Sequence, residues 1–307
     1  MSDASDLLAA ATVRLAGVGI DNAQLEAEWL LQHVTGIPRL HRAVRDHGPI
    51  DSAARVRFES LVARRCLRVP LQHLVGTAPF LDFELWVIPE VLVPRPETES
   101  LALRALQFLP DEPRRAIDLG TGSGCLALAL ARRRPNLDTH AVDLSLSALE
   151  VARENARRLG LENRIRFHHA DAFGDRPPQE QWGRFDVVVT NPPYIPAGEI
   201  AFLQPEVRDH EPRLALDGGV DGLDPYRNLA RHAPSMLVPD GILLAEFGDG
   251  QAPELTDLFA RHGWNEISVE KDLSGKDRIL IVRAPRSNQS PTPRCGPTDA
   301  NSPWTVS

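Results

Sequence analysis

The part of the chain that most limits its fold begins near residue 99. From there, short apolar runs alternate with stretches of helical spacing. The runs are Arg115–Leu119, Thr139–Leu144, Arg164–His168, Phe185–Thr190, Gly241–Phe247, Glu266–Val269 and Arg278–Val282. Strands alternating with helices imply an α/β fold: a mostly parallel seven-stranded sheet covered on both faces. The last two runs are joined by the short turn 272–277, which predicts an antiparallel edge hairpin. After the second run, Ser147-Ala148-Leu149-Glu150 reads as a capping box. The helix it opens would put Ala148, Ala152, Asn155, Ala156 and Leu159 on one side and end at Gly160.

The preceding sequence has another character. Residues 1–78 read as a small helical domain, in which Leu25, Trp29 and Val34, then Phe58, Leu61, Val62 and Cys66, recur near helical spacing. Gly17-Val18-Gly19, Gly36-Ile37-Pro38 and Gly48-Pro49 punctuate it into short helices. Residues 79–98 first alternate as a strand does (Phe80, Asp82, Phe83, Leu85, Val87) and then meet prolines. That pattern predicts a hairpin or extended linker outside the core sheet. The sheet unit then covers 99–286. Residues 287–307, rich in Ser, Pro, Thr and Asn with no apolar period, predict a disordered tail.

Composition removes several function classes. The formal net charge of −8 over 307 residues disfavours non-specific binding to nucleic acid phosphates. Of the 34 basic residues only Lys271 and Lys276 are lysines. The arginines are scattered among acids, so their excess reads as coding bias rather than a phosphate-binding patch. Cys66, Cys125 and Cys295 lie far apart, in odd number and in no metal-ligand spacing. This argues against a disulfide framework or a metal site and fits a reducing cytosol. No apolar window approaches the length of a membrane span, and the first residues lack the pattern of a signal peptide. A cytoplasmic, monomeric protein without membrane association is expected.

The first chemical signal is Asp118-Leu119-Gly120-Thr121-Gly122-Ser123-Gly124-Cys125, which closes a strand and opens a helix. Glycines at such a turn let backbone N–H groups approach a ligand closely. The third glycine of a dinucleotide fingerprint would fall at Cys125, which weakens a nicotinamide reading. Asp143 ends the second strand, about twenty residues on, where a carboxylate can grip two ribose hydroxyls. Asp171 follows the third strand and can accept from an exocyclic adenine amine. Together these predict a nucleoside ligand in the crevice at the strand ends.

Asn191-Pro192-Pro193-Tyr194 directly follows the apolar strand Phe185–Thr190. Two prolines after a strand can simply stop it. All four residues find a use if the substrate is a planar amide or amino nitrogen, a poor nucleophile because its lone pair is delocalised. The Asn191 side-chain oxygen and the Pro192 carbonyl can each accept one of its N–H bonds, the prolines hold that carbonyl in place, and Tyr194 can lie flat against the plane. A sulfonium methyl donor then needs only a nitrogen held in line with its S–CH₃ bond. No metal and no strong base is required. His168, His169 and His210 are read as surface or packing residues.

The glycine loop, Asp143 and the Asn-Pro-Pro-Tyr loop resemble class I S-adenosylmethionine-dependent methyltransferases. More narrowly, the span from the helical N-terminus to Arg278–Arg283 resembles the PrmC/HemK family of release factor glutamine N5-methyltransferases. The stretches that carry this are residues 21–36, Pro70–Gly76, Val93-Pro94-Arg95-Pro96-Glu97-Thr98-Glu99 and His210–Leu223. The resemblance implies a Rossmann-like class I methyltransferase fold and transfer of a methyl group from S-adenosylmethionine, leaving S-adenosylhomocysteine. It implies as acceptor the glutamine of the Gly-Gly-Gln motif in class I peptide chain release factors. It further implies that the N-terminal helices recognise the release factor, that Gly120–Gly124, Asp143 and Asn191 hold the cofactor, and that Asn191, Pro192, Pro193 and Tyr194 meet the substrate. Some relatives carry a bulky aromatic directly after the acid of the third strand. Here that residue is Ala172, which can offer adenine a backbone contact rather than a stacking ring.

Three rival readings stand beside this one. A sister family methylates a glutamine of a ribosomal protein, and the Pro-Arg-Pro-Glu-Thr-Glu form favours the release factor. A DNA adenine N6-methyltransferase uses the same loop but must flip a base and hold a duplex, for which this acidic chain shows no basic face. A cofactor-binding protein without catalysis would not need an intact Asn191–Tyr194 loop.

Overall fold

The computed structural model describes residues 4–38, 50–112, 114–174, 182–272 and 274–284. The Gly48-Pro49 break and the 287–307 tail lie outside these. Helices α1 (Ala4–Gly17), α2 (Ala23–Thr35), α3 (Ser52–Cys66) and α4 (Leu71–Val75) bury Leu15, Leu30, Leu31, Phe58 and Val62 against one another. Asp51 caps α3 by accepting the Ala54 N–H at 2.8 Å, and Gly36, at φ +68°, closes α2. Leu25 and Trp29 are not core residues: they are 40% and 46% exposed, while Ala23, Ala27, Leu30 and Leu31 face inward. Both stripes have helical spacing, so periodicity located the helix without choosing its inner face.

Strands β1 (Thr77–Phe80) and β2 (Phe83–Trp86) form a separate antiparallel hairpin, with Pro79 opposite Glu84. Phe80 and Leu85 bury against α5 (Pro96–Gln107) and neighbours in one hydrophobic cluster. The main sheet comprises β3 (Arg114–Leu119), β4 (Leu137–Asp143), β5 (Ile165–His169), β6 (Phe185–Thr190), β7 (Leu237–Glu246), β8 (Asn265–Lys271) and β9 (Asp277–Arg283). Their order is β5-β4-β3-β6-β7-β9-β8. The first five run parallel, and β9 inserts antiparallel between β7 and β8. Alternate strand residues face opposite sides. Ala116, Val187, Val189 and Leu244 join one apolar layer, while Ile117, Val188, Leu243 and Leu280 join the other.

The intervening helices are α6 (Cys125–Arg133), α7 (Leu146–Arg158), α8 (Pro205–His210), α9 (Asp224–Met236) and α10 (Ala252–Arg261). The expected cap of α7 shifts by two residues. Ser145, not Ser147, accepts the Ala148 N–H, at 3.2 Å. Asp143 causes this by taking the Ser145 N–H at 2.8 Å, which turns the chain before Ser147 is reached.

Strand register sets the site. Leu119 pairs with Val142 and with Thr190, and Thr190 pairs with Ala245. The next residue along each strand, namely Gly120, Asp143, Asn191 and Glu246, therefore falls in one row at the carboxyl edge of the sheet. That is where an open parallel sheet binds its ligand.

Candidate active site

Gly120, Gly122 and Gly124 all take positive φ, at +72°, +55° and +86°. The Gly120 and Thr121 N–H groups donate to the Val142 carbonyl, both at 2.9 Å, which bends the loop over the end of β4. Beneath it, the buried Asp118 accepts the Thr121 hydroxyl at 2.7 Å and the Ala127 N–H at 3.2 Å. Burial pushes the Asp118 carboxyl up to about 7, against those two hydrogen bonds. Asn155 of α7 braces the loop from outside, donating to the Ser123 carbonyl while bonding both polar groups of the Trp86 backbone.

A cleft of about 440 Å³ opens along this row. Gly120, Thr121, Gly122, Ser123, Asp143, Asp171, Ala172 and Asn191 all line it, whereas Gly124 lies just behind as the cap of α6. Asp143 has a structural duty as well: its two oxygens take the Gly122 and Ser145 N–H groups at 2.8 Å each. Each oxygen keeps a further lone pair. Burial raises its carboxyl above the usual range despite these bonds. Asp171 accepts the Phe173 N–H at 3.0 Å and shapes the turn after β5. Ala172 lines the cleft as expected of a residue offering only its backbone, and the residue after it is aromatic. Phe173 lines the cleft, and its ring lies 3.0 Å from where a Cβ on Gly120 would stand.

The Asn-Pro-Pro-Tyr loop closes the other end. Asn191 and Pro193 line the cleft, Pro192 is buried, and Tyr194 packs on the second hydrophobic layer beside Gly248 rather than on the cleft wall. Burial pushes the Tyr194 hydroxyl far above its ordinary value. The Asn191 Nδ2 donates to Thr98 Oγ1 at 3.1 Å, and the Thr98 hydroxyl donates to Glu246 at 2.7 Å. Gln251 staples the loop by donating to the Tyr194 carbonyl at 3.0 Å while accepting the Gly248 N–H at 2.8 Å. Sequence reasoning missed Glu246 and Gln251. The one signal for Glu246 is a lone acid at the end of the apolar run Gly241–Phe247. Thr98 was noticed only as part of a motif.

The three histidines stand apart from the cleft. His168 stacks on His140 with 4.9 Å between centroids, while His169 and His210 bond the Leu144 and Leu67 carbonyls. Among the described residues no cluster of three or more His, Cys, Asp or Glu could hold a metal ion. No described helix is long and apolar enough to cross a membrane.

Comparison with known proteins decides the family. Residues 6–76 match the model of the PrmC N-terminal domain, and residues 100–206 match that of the methyltransferase small domain. The release factor glutamine methyltransferase of Geobacter sulfurreducens is 41% identical over 87% of this chain and 91% of its own length. The chain belongs to the release factor glutamine methyltransferases. Another member, from Cereibacter sphaeroides, is 42% identical over 92% of this chain and 99% of its own. A crystal structure of the release factor-specific protein-(glutamine-N5) methyltransferase of Alicyclobacillus acidocaldarius is 31% identical. It covers 63% of this chain and 94% of that one, with a TM-score of 0.38.

Proposed function

We propose that this methyltransferase moves the methyl group of S-adenosylmethionine to the side-chain N5 of the glutamine in the Gly-Gly-Gln motif of class I peptide release factors, and so modulates translation termination. The observation that carries this reading is the placement of Asn191 in the same row as Gly120 and Asp143, in a chain of this family. A methyl donor and an amide acceptor bound there would meet inside one cleft.

The residues present suit the donor. The Gly120–Gly124 loop brings its backbone against the cleft, Asp143 can take two adjacent ribose hydroxyls on its remaining lone pairs, and Asp171 with the Ala172 backbone can meet an adenine edge. Phe173 adds an apolar wall. When bound, S-adenosylmethionine supplies an electrophilic methyl whose carbon–sulfur bonding pair leaves with the sulfur. On the protein side, Asn191 Oδ1 and the Pro192 carbonyl accept the two N–H bonds of the glutamine amide. They fix the nitrogen in line and draw electron density toward it. After transfer the nitrogen gives one proton to water, so no buried base is needed. Tyr194 acts by holding the loop against the second hydrophobic layer. We assign residues 1–78 to recognition of the release factor, 79–98 to the linking hairpin and 99–286 to catalysis.

Incubation with labelled S-adenosylmethionine tests this. The expected result is label on the release factor, none on its Gln→Ala variant, and none on duplex DNA. Label on DNA, or label persisting on the variant, would overturn the substrate assignment.

A further inference from the structure

Asn191 can hold an amide nitrogen only if its carbonyl end, not its NH₂ end, faces the cleft. An asparagine side chain is nearly symmetric in shape, so something must choose between the two orientations. The choice is made by Thr98, which lines the cleft, and by Glu246 behind it. Glu246 is 1% exposed, sits at the end of β7 one register step from Asn191, and presents its carboxylate to the Thr98 hydroxyl. Thr98 is 2% exposed and enters from the first turn of α5.

Burial raises the Glu246 carboxyl to about 7; in its ionised form it only accepts. The single Thr98 proton is therefore committed to Glu246, and the Thr98 oxygen can only accept from its other neighbour. That neighbour is the Asn191 NH₂, at 3.1 Å. With NH₂ turned inward, Oδ1 must point the opposite way, and it has no donor partner among the described residues.

We propose that Thr98 and Glu246 are positioning residues that fix the polarity of Asn191, so that the site accepts hydrogen bonds from a substrate nitrogen and rejects groups that would need a donor there. The inference rests on the functional reading of Asn191 given above. It also assigns a purpose to Thr98 of the Pro-Arg-Pro-Glu-Thr-Glu segment: the threonine carries the acceptor-only character of Glu246 across to the loop.

The test compares Thr98→Val, Thr98→Ser, Glu246→Gln and Asn191→Ala with the wild type on the intact release factor. It measures kcat and KM by methyl transfer and the affinity for S-adenosylmethionine by calorimetry. Valine matches threonine in shape but cannot pass the hydrogen bond. It should lower kcat by about 100-fold, toward the Asn191→Ala floor, the usual scale for a misplaced reactive group. The cofactor affinity should stay within about twofold, which also reports an intact fold. Serine should restore most of the lost kcat. Glutamine at 246 can donate as well as accept, so it should lose kcat without losing cofactor affinity. Wild-type kcat in Thr98→Val or Glu246→Gln, a Ser variant no better than Val, or a loss confined to cofactor affinity would each overturn the proposal. Failure of the functional reading is separate, because it shows as a wild type that does not label the release factor at all.

Discussion

A Cβ at position 222 would stand 2.3 Å from the Tyr194 carbonyl, and one at 218 would stand 2.9 Å from the Pro193 carbonyl. The segment after the Asn-Pro-Pro-Tyr loop thus folds back against that loop's own backbone, tied by Ile195 N–H to the Leu216 carbonyl and Gly218 N–H to the Ile195 carbonyl. Gly222 is also at φ +78°. Gly222→Ala should therefore combine a left-handed backbone penalty with a steric clash, destabilising by about 2–4 kcal/mol. Gly250→Ala is the control, since Gly250 has φ +83° but open space around its Cβ position. Denaturant unfolding should show Gly222→Ala losing clearly more than Gly250→Ala; equal losses would sink the steric argument. Gly120, Asp143 and Asn191, which the fold brings to one cleft, are legible in the sequence because their chemistry selects a residue type on its own. Thr98 and Glu246, which meet across 148 positions, are not, and neither is Gln251, which reaches the Tyr194 carbonyl 57 positions away. The ring of Phe173, one residue beyond Ala172, reaches the glycine loop from the end of β5, a contact that no local pattern announces.

The element that joins the two ends of the molecule is α8 with the residues after it. Glu206 bridges Arg65 at 2.9 Å and Arg68 at 2.7 Å, both from the α3 region, and Arg65 is also paired with Glu26 of α2. Burial opposes the Glu206 charge, yet the two guanidiniums hold its carboxyl below the ordinary range. Next along the chain, Glu211 takes the Val93 N–H and the Arg95 guanidinium, which anchors α8 to the segment leading into Thr98. The N-terminal helices and the cleft wall at Pro212–Ala215 are thus fastened to one short strap. Glu206→Ala should cost about 2 kcal/mol of stability. That is less than the full loss of a buried pair, because Arg65 retains Glu26. The fit for the release factor should loosen while cofactor affinity holds. Unchanged unfolding and unchanged KM would refute the strap. Elements of this kind were hidden in the sequence. Parallel strands announced themselves because burial on both faces makes them apolar throughout. A polar strap of six helical residues has no period to detect, and the inner face of α2 is hard to read because Ala23, Ala27, Leu30 and Leu31 share it while Leu25 and Trp29 make a second stripe of helical spacing.

At the scale of the whole molecule, opposing buried groups shape the response to pH. Asp118 and Glu246 are both raised to about 7, chiefly by burial. Asp118 faces Thr121, Ala127, Asp143 and Cys125; Glu246 faces Thr98, Glu97, Asn191, Arg278, Cys125, Tyr194 and Tyr226. For an acid whose folded pKa exceeds its unfolded one, the folded state binds the proton first. These two therefore add stability as pH falls from about 7 toward 4. His140 is lowered to about 4, mainly by burial, and His168 and His73 are lowered from the same cause. For these bases the unfolded state binds the proton first, so they remove stability as pH falls below about 6.5. The two sets act over nearly the same window with opposite sign and so offset one another in part, with the raised Asp143 and Glu211 siding with the acids. Asp118→Asn shifts the balance. Its amide can keep the acceptor role toward Thr121 and Ala127 without burying a charge, so it removes one of these acids and leaves the histidines. Relative to wild type, the variant should gain stability as pH rises from 5 to 8, on the order of 2 kcal/mol, or roughly 2–4 °C for each kcal/mol. Thermal melts of both proteins across that range, without cofactor, decide it: an offset that is the same at pH 5 and pH 8 would mean that Asp118 does not carry a proton that the unfolded chain lacks.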